Sequence, residues 1–174
     1  MSRQALRDLR WWTRLHESLG GHSGAIWQSP TTVTLHTDAA HEGLRAGWGG
    51  VLNHELQARG NFPIEEARTR HINEFELLAV KLTIETFLEQ CAHKVVKLYT
   101  DSQVVEHILV NMTSRSRSLM KELRRLLWLT FEHNIKLEPE YIRSQDNVLA
   151  DRLSRTITND DWQLHPRWLQ HYQD

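Results

Sequence analysis

The chain has 174 residues, with 21 Lys and Arg against 22 Asp and Glu for a formal net charge of −1, and 40% of it is hydrophobic. That length suits one domain with a buried core, and the balanced charge argues against a nucleic-acid binder held by bulk charge while leaving room for local basic patches. No run of about 18 apolar residues is available to span a membrane. Met1-Ser2-Arg3-Gln4 lacks the apolar stretch of a signal peptide. Cys91, the single cysteine, cannot form an internal disulfide or a cysteine zinc site, so an intracellular location, cytoplasmic or nuclear, is expected.

Residues 3–19 read as a helix with Ala5, Leu9, Trp12, His16 and Leu19 on one face and Arg3, Arg7, Arg10 and Arg14 on another, stopped by Gly20-Gly21. The arginine stripe reads as a solvated face, with phosphate contact as the alternative. Thr32 to Thr37 alternates as a strand that ends at Asp38. Residues 46–52 and 54–59 read as two further strands, and Gly47, Gly49 and Gly50 allow a bulge or close backbone approach. A helix is expected over 73–90, a strand over 95–100 and helices over 102–111 and 116–133. Ile135–Ile142 is a strand whose Pro139 marks an edge or bulge, and a last helix runs from Asp146, its N-cap, to Arg155. There is no low-complexity tract, long linker or internal repeat. The order βββαβααβα describes an α/β domain, one central sheet with helices on both faces.

The chemistry starts from two matching strand ends. Leu35-His36-Thr37-Asp38-Ala39 and Leu98-Tyr99-Thr100-Asp101-Ser102 share the form Leu-aromatic-Thr-Asp-small. Ligands of open α/β sheets collect beyond the carboxyl ends of strands, although an Asp there is also a common turn or cap residue. On the helix at 73–90, Glu74 lines up with Lys81 and Glu85 on a polar stripe and reads as solvated. Glu76 lies about 200° around the axis from Glu74, on the face of Ala79, Val80, Thr83 and Phe87 that should meet the sheet. A carboxylate buried there must be paired, protonated or bound to a metal. Metal binding is the sharper reading, and an Arg partner from elsewhere is its competitor. Asp151 shares a helix face with Asn147 and Val148, and its competing role is an ion pair with Arg155 four residues on.

Four segments, taken together, resemble the ribonuclease H family. Thr37-Asp38-Ala39-Ala40 with Gly47-Trp48-Gly49-Gly50, Ile72-Asn73-Glu74-Phe75-Glu76-Leu77, Tyr99-Thr100-Asp101-Ser102 and Asn147 to Arg155 are similar to its four motifs, in order. Their wording is nearest to the type 1 domains of retroelement reverse transcriptases, especially the DIRS-like, tyrosine-recombinase-bearing elements. Asp161-Trp162-Gln163-Leu164-His165-Pro166 resembles the stretch C-terminal to that domain in such polyproteins, and the Trp11-Trp12 helix resembles their joining segment. The resemblance implies an RNase H-like fold with a five-stranded mixed sheet, a connection segment over 1–31, a catalytic domain over 32–157 and a tail over 158–174. It further implies an endonuclease that cuts the RNA strand of RNA/DNA hybrids with two Mg²⁺ ions, Mn²⁺ substituting. Asp38 would bridge both ions, Glu76 and Asp101 would complete the leaving-group side, and Asp151 would hold the ion that activates water. Hard cations of this kind take oxygen ligands, so carboxylates suit them better than His or Cys. The polyprotein context implies a polymerase domain as partner, and no membrane.

Departures from the family accompany the match. Many relatives carry a His in a Gly-rich loop before the last helix, where this chain reads Tyr141-Ile142-Arg143-Ser144-Gln145. For nucleic-acid contact, Asn73, Ser102 and Asn147 stand beside the acidic residues, and Arg115, Arg117, Lys121, Arg124 and Arg125 form the best basic patch, whose alternative is a solvated helix face. Trp11, Trp12 and Trp128 read as core or interdomain contacts. A reading of another class is a domesticated, non-catalytic module that binds nucleic acid or protein; a DNA nuclease or transposase on the same fold is a third.

Overall fold

A computed structural model describes residues 3–18 and 32–156. The Gly20-Gly21 stop, the Asp161–Pro166 segment and the whole of the expected tail lie outside these residues. Helix α1 (Arg3–Ser18) precedes an antiparallel meander of β1 (Thr32–Glu42), β2 (Arg45–Leu52) and β3 (Leu56–Asn61). Next come three helices, α2 (Ile64–Thr69), α3 (Ile72–Thr86) and α4 (Leu88–Cys91), and then β4 (Val95–Thr100). Helices α5 (Gln103–Asn111) and α6 (Arg117–Glu132) lead to β5 (Lys136–Tyr141), a 3-10 turn at Ser144–Asp146 and α7 (Val148–Arg155). The strands form one mixed sheet in the order β3-β2-β1-β4-β5, with β4 parallel to both β1 and β5. This is the five-stranded architecture expected from the sequence. Among the described residues no helix is long and apolar enough to cross a membrane.

Alternation along β1 and β4 sends Val33, Leu35, Val96 and Leu98 into a core shared with Leu77, Val80 and Ile84 of α3, Val105 and Leu109 of α5, and Leu123 and Leu126 of α6. A second cluster forms around Phe75, Phe62, Trp48 and Ala79. Two glycines show how the layers divide. A Cβ on Gly50 would run into the Thr83 side chain of α3, whereas one on Gly49 would run into α7, 2.6 Å from Leu153 Cβ. Adjacent strand residues face opposite sides, so α3 and α7 cover opposite faces. The close backbone approach expected at these glycines is the observed one.

Several expectations need correction. β1 does not end at Asp38; its parallel pairing with β4 stops at Thr37↔Thr100, but antiparallel pairing with β2 carries it on to Glu42. β3 starts at Leu56, because residues 53–55 make the turn, with Asn53 and His54 at positive φ. The single helix expected over 73–90 is two, broken at Phe87 (φ −106°, ψ 35°), and both Phe87 and Cys91 are buried. α2 was not expected: six residues fall short of the window in which helical periodicity is legible. Asp146 is not the N-cap of the last helix. It belongs to the 3-10 turn, and Asn147 stands at the cap position without capping the helix.

α1 also departs from its expected roll. Leu9 and Trp12 are 53% and 60% exposed, so Trp12 is not a core residue. Arg7, Arg10 and Arg14 instead run along a cleft opposite α6, where Asp8 of α1 pairs with Arg124.

Candidate active site

Asp38 is the first residue of β1 beyond the end of its pairing with β4, and Asp101 directly follows the last residue of β4. The strand ends therefore present the two carboxylates side by side. Glu76 comes from the buried face of α3, whose apolar run Phe75 to Val80 leaves no solvated side at that level. Carboxylate oxygens of Asp38, Glu76 and Asp101 all lie within 4.8 Å of one another. Asp38 and Glu76 are only 4% and 8% exposed, and Glu76 Oε2 is buried without a hydrogen-bond partner. No Arg or Lys reaches Glu76, so the paired alternative has no support among the described residues.

Burial and mutual repulsion set the electrostatics. Desolvation, then the charges of Asp38 and Asp101, push the Glu76 carboxyl up to about 9, against a smaller opposing effect from the Ala39 backbone. Desolvation also pushes Asp38 up to about 7; the Ser154 hydroxyl opposes this, and Asp101 and Asp151 add to it. Buried like charges this close cannot all ionise without compensation. A divalent cation would provide it: three hard carboxylate donors, one with an orphaned oxygen at Glu76, fit such an ion.

α7 completes the surroundings from the other face. Ser154 donates its hydroxyl to Asp38 Oδ2, and the Asn147 amide donates to the Thr37 carbonyl at 2.9 Å. These contacts fasten α7 against β1 at the level of Asp38. Asp151 does not join the three-carboxylate cluster; Arg155 Nε donates to its Oδ1 at 2.7 Å, while the same guanidinium reaches Glu42 at 3.2 Å. The i to i+4 ion pair weighed against Asp151 is thus present. Ser154 was missed by sequence reasoning, although its place three residues after Asp151, one turn along the same helix, was the available signal.

Other expected residues are distributed differently. Glu74 is not solvated: Arg70 lies 3.5 Å from it and Ser118 of α6 donates to it at 2.8 Å. Asn147, expected beside the nucleic acid, is 1% exposed, and its amide donates to the Thr37 carbonyl and so holds α7 in place. Asn73 lies in the first turn of α3, and Ser102 caps α5 by accepting from Val105 N–H. Arg124 and Arg125 are engaged, the first with Asp8 and the second with the buried Glu122 at 3.0 Å. Arg115, Arg117 and Lys121 remain exposed with no ion pair among the described residues. Between β5 and α7 the chain passes through the 3-10 turn with no His.

The family profile for RNase H matches residues 30–158. The chain belongs to the RNase H family and is thereby a ribonuclease H. Solved structures share the fold. RNase H1 from the halophilic archaeon Halobacterium salinarum NRC-1 aligns with a TM-score of 0.59 at 20% identity, over 71% of this chain and 94% of that one. The N-terminal RNase H domain of a Mycobacterium tuberculosis protein gives 0.59 at 18%, over 70% and 89% of the two chains. LC11-RNase H1, from compost and solved in complex with an RNA/DNA hybrid, gives 0.61 at 17%, over 70% and 92%. No curated protein sequence matches the chain.

Proposed function

We propose that the protein hydrolyses the RNA strand of RNA/DNA hybrids as a divalent-metal endonuclease. The observation that carries this reading is the convergence of Asp38, Glu76 and Asp101 within 4.8 Å at the end of the parallel strands, with a buried Glu76 oxygen left unpartnered. In it, Asp38, Glu76 and Asp101, with Asp151, would hold two Mg²⁺ ions, for which Mn²⁺ would substitute. When bound, the two ions supply charge neutralisation and water activation for phosphodiester hydrolysis.

The protein's own groups have distinct tasks. The Ser154 hydroxyl fixes the rotamer of Asp38 and favours its ionised form. Arg155 pairs with Asp151 beside the cluster, so Asp151 would have to give up that ion pair to serve as a ligand. Asn73 and Ser102 flank the carboxylates at the starts of α3 and α5, while Arg115, Arg117 and Lys121 supply charge along the phosphate backbone. A hybrid's wide minor groove displays 2′-hydroxyls, which distinguish RNA from DNA. The motif wording supports origin in a reverse transcriptase of a DIRS-like retroelement, with a polymerase domain of the same polyprotein as partner.

Labelling each strand in turn tests the reading. Cuts confined to the RNA strand of a hybrid, with double-stranded DNA and RNA left intact, are expected; cuts in the DNA strand or in either control duplex would overturn it. A non-catalytic binding module is the second reading, favoured by the Arg155–Asp151 pair and the loop without His. It predicts hybrid binding with no cleavage.

A further inference from the structure

α1, α3 and α6 enclose an open cleft of about 870 Å³, away from the carboxylate cluster. On α3 the cleft residue Lys81 lies about 140° around the axis from Glu76, so the two sites use different sides of that helix. Arg7, Arg10, Trp11 and Arg14 line one wall, and Arg124 and Trp128 belong to the other. The three α1 arginines are exposed and make no ion pair among the described residues. Most acids along the cleft are already matched: Lys81 pairs with Glu85 at 2.6 Å, and Arg70 and Arg125 both reach Glu122. Glu132 is the remaining acid on the wall. The cleft therefore carries uncompensated positive charge in a chain of net charge −1.

We propose that this cleft binds a single strand of nucleic acid, its phosphates along the α1 arginines and its bases against Trp11 and Trp128. Spacing supports the assignment. At about 1.5 Å per residue, Arg7 to Arg14 spans about 10 Å of helix axis, the rise of about three nucleotides of a stacked strand at about 3.4 Å each. Trp11 sits on the same stripe as the arginines and is braced edge-on by Trp12, with ring centroids 4.8 Å apart. Basic grooves interleaved with aromatic rings track single strands without reading sequence, since every base offers a face for stacking. The ion pair between Asp8 and Arg124 ties the two walls together. An acidic peptide could match the arginines but would leave the tryptophans without stacking partners.

The test uses the full chain in EDTA, so that cleavage plays no part, with a fluorescent oligodeoxythymidylate followed by anisotropy across a salt series. Arg7→Ala/Arg10→Ala/Arg14→Ala should weaken binding at least about tenfold and flatten the salt dependence of log K by about 2, at roughly 0.7 per phosphate contact on a single strand. The corresponding triple Lys variant should keep the wild-type slope. Trp11→Ala should weaken binding by about tenfold with the slope unchanged, the signature of lost stacking. Unchanged affinity and slope in the triple Ala variant would overturn the proposal and leave the arginines as a solvated face. Displacement of the oligonucleotide by polyglutamate at equal charge concentration would also overturn it, in favour of an acidic protein partner.

Discussion

Glu74 and Glu76 are two residues apart on one helix, yet meet different physics. Helical geometry alone separates them, and it correctly turned Glu76 towards the sheet; what it could not supply was the partner of Glu74, because Arg70 and Ser118 come from outside α3. The two residues should therefore respond differently to the same change. Glu76→Gln removes a ligand oxygen from the cluster and should weaken Mn²⁺ binding more than tenfold by titration calorimetry. Glu74→Gln should leave that binding within about twofold and lower thermal stability by loosening α3 from α6. Equal effects on metal binding would refute the assignment. The raised carboxyls also set a pH dependence. Because Glu76 at about 9 and Asp38 at about 7 exceed ordinary carboxylate values, the native state holds protons that the unfolded chain has already released. The stability contributed by these groups is full below about pH 4 and is lost as pH rises through about 7 and then 9. Melting temperatures of the metal-free protein should accordingly fall from pH 5 to pH 9 on account of these groups. Glu76→Gln should reduce that fall, and Mg²⁺ should stabilise the wild type more at pH 8 than at pH 6.

Among the elements, α7 shows how a short helix can be placed by what lies beneath it. Gly47 and Gly49 present bare backbone to α7, and this close approach lets the Ser154 hydroxyl reach Asp38. Gly49→Ala adds a methyl group against Leu153 and the Ala150 carbonyl, so α7 must lift. A loss of about 1–3 kcal/mol is expected from chemical denaturation, together with weaker metal binding as Ser154 leaves Asp38; stability within 0.5 kcal/mol (roughly the scatter of a surface substitution) would contradict this packing. Helices, strands and their order were legible wherever periodicity ran long enough. The rest depended on tertiary contact. β1 outlasts its expected end because β2 continues to pair with it, and α3 breaks at Phe87 where two side chains enter the core. Asn147 takes the place expected of Asp146 while its amide serves β1 across the domain.

For the molecule as a whole, a net charge near zero conceals a sharp division. Carboxylates gather at the carboxyl end of the central strands, whereas arginines of α1 and α6 lie along another side. Composition showed the balance but not the separation, and the amphipathic pattern of α1 suggested an apolar contact that the Asp8–Arg124 pair replaces with a polar one. The basic residues from Arg115 to Arg125 likewise formed one patch in the sequence, but Arg124 and Arg125 are engaged by acidic partners, while Arg115, Arg117 and Lys121 make no ion pair among the described residues. In the proposed function, the three converging carboxylates make this chain a metal-dependent hybrid nuclease. Incubating an end-labelled RNA/DNA hybrid with Mg²⁺ or Mn²⁺, for wild type and Asp101→Asn side by side, tests it most directly. Metal-dependent cutting by the wild type is expected, abolished by EDTA and reduced about a thousandfold or more by the substitution. Intact hybrid after incubation with folded wild-type protein in both metals, or undiminished cutting by Asp101→Asn, would contradict it.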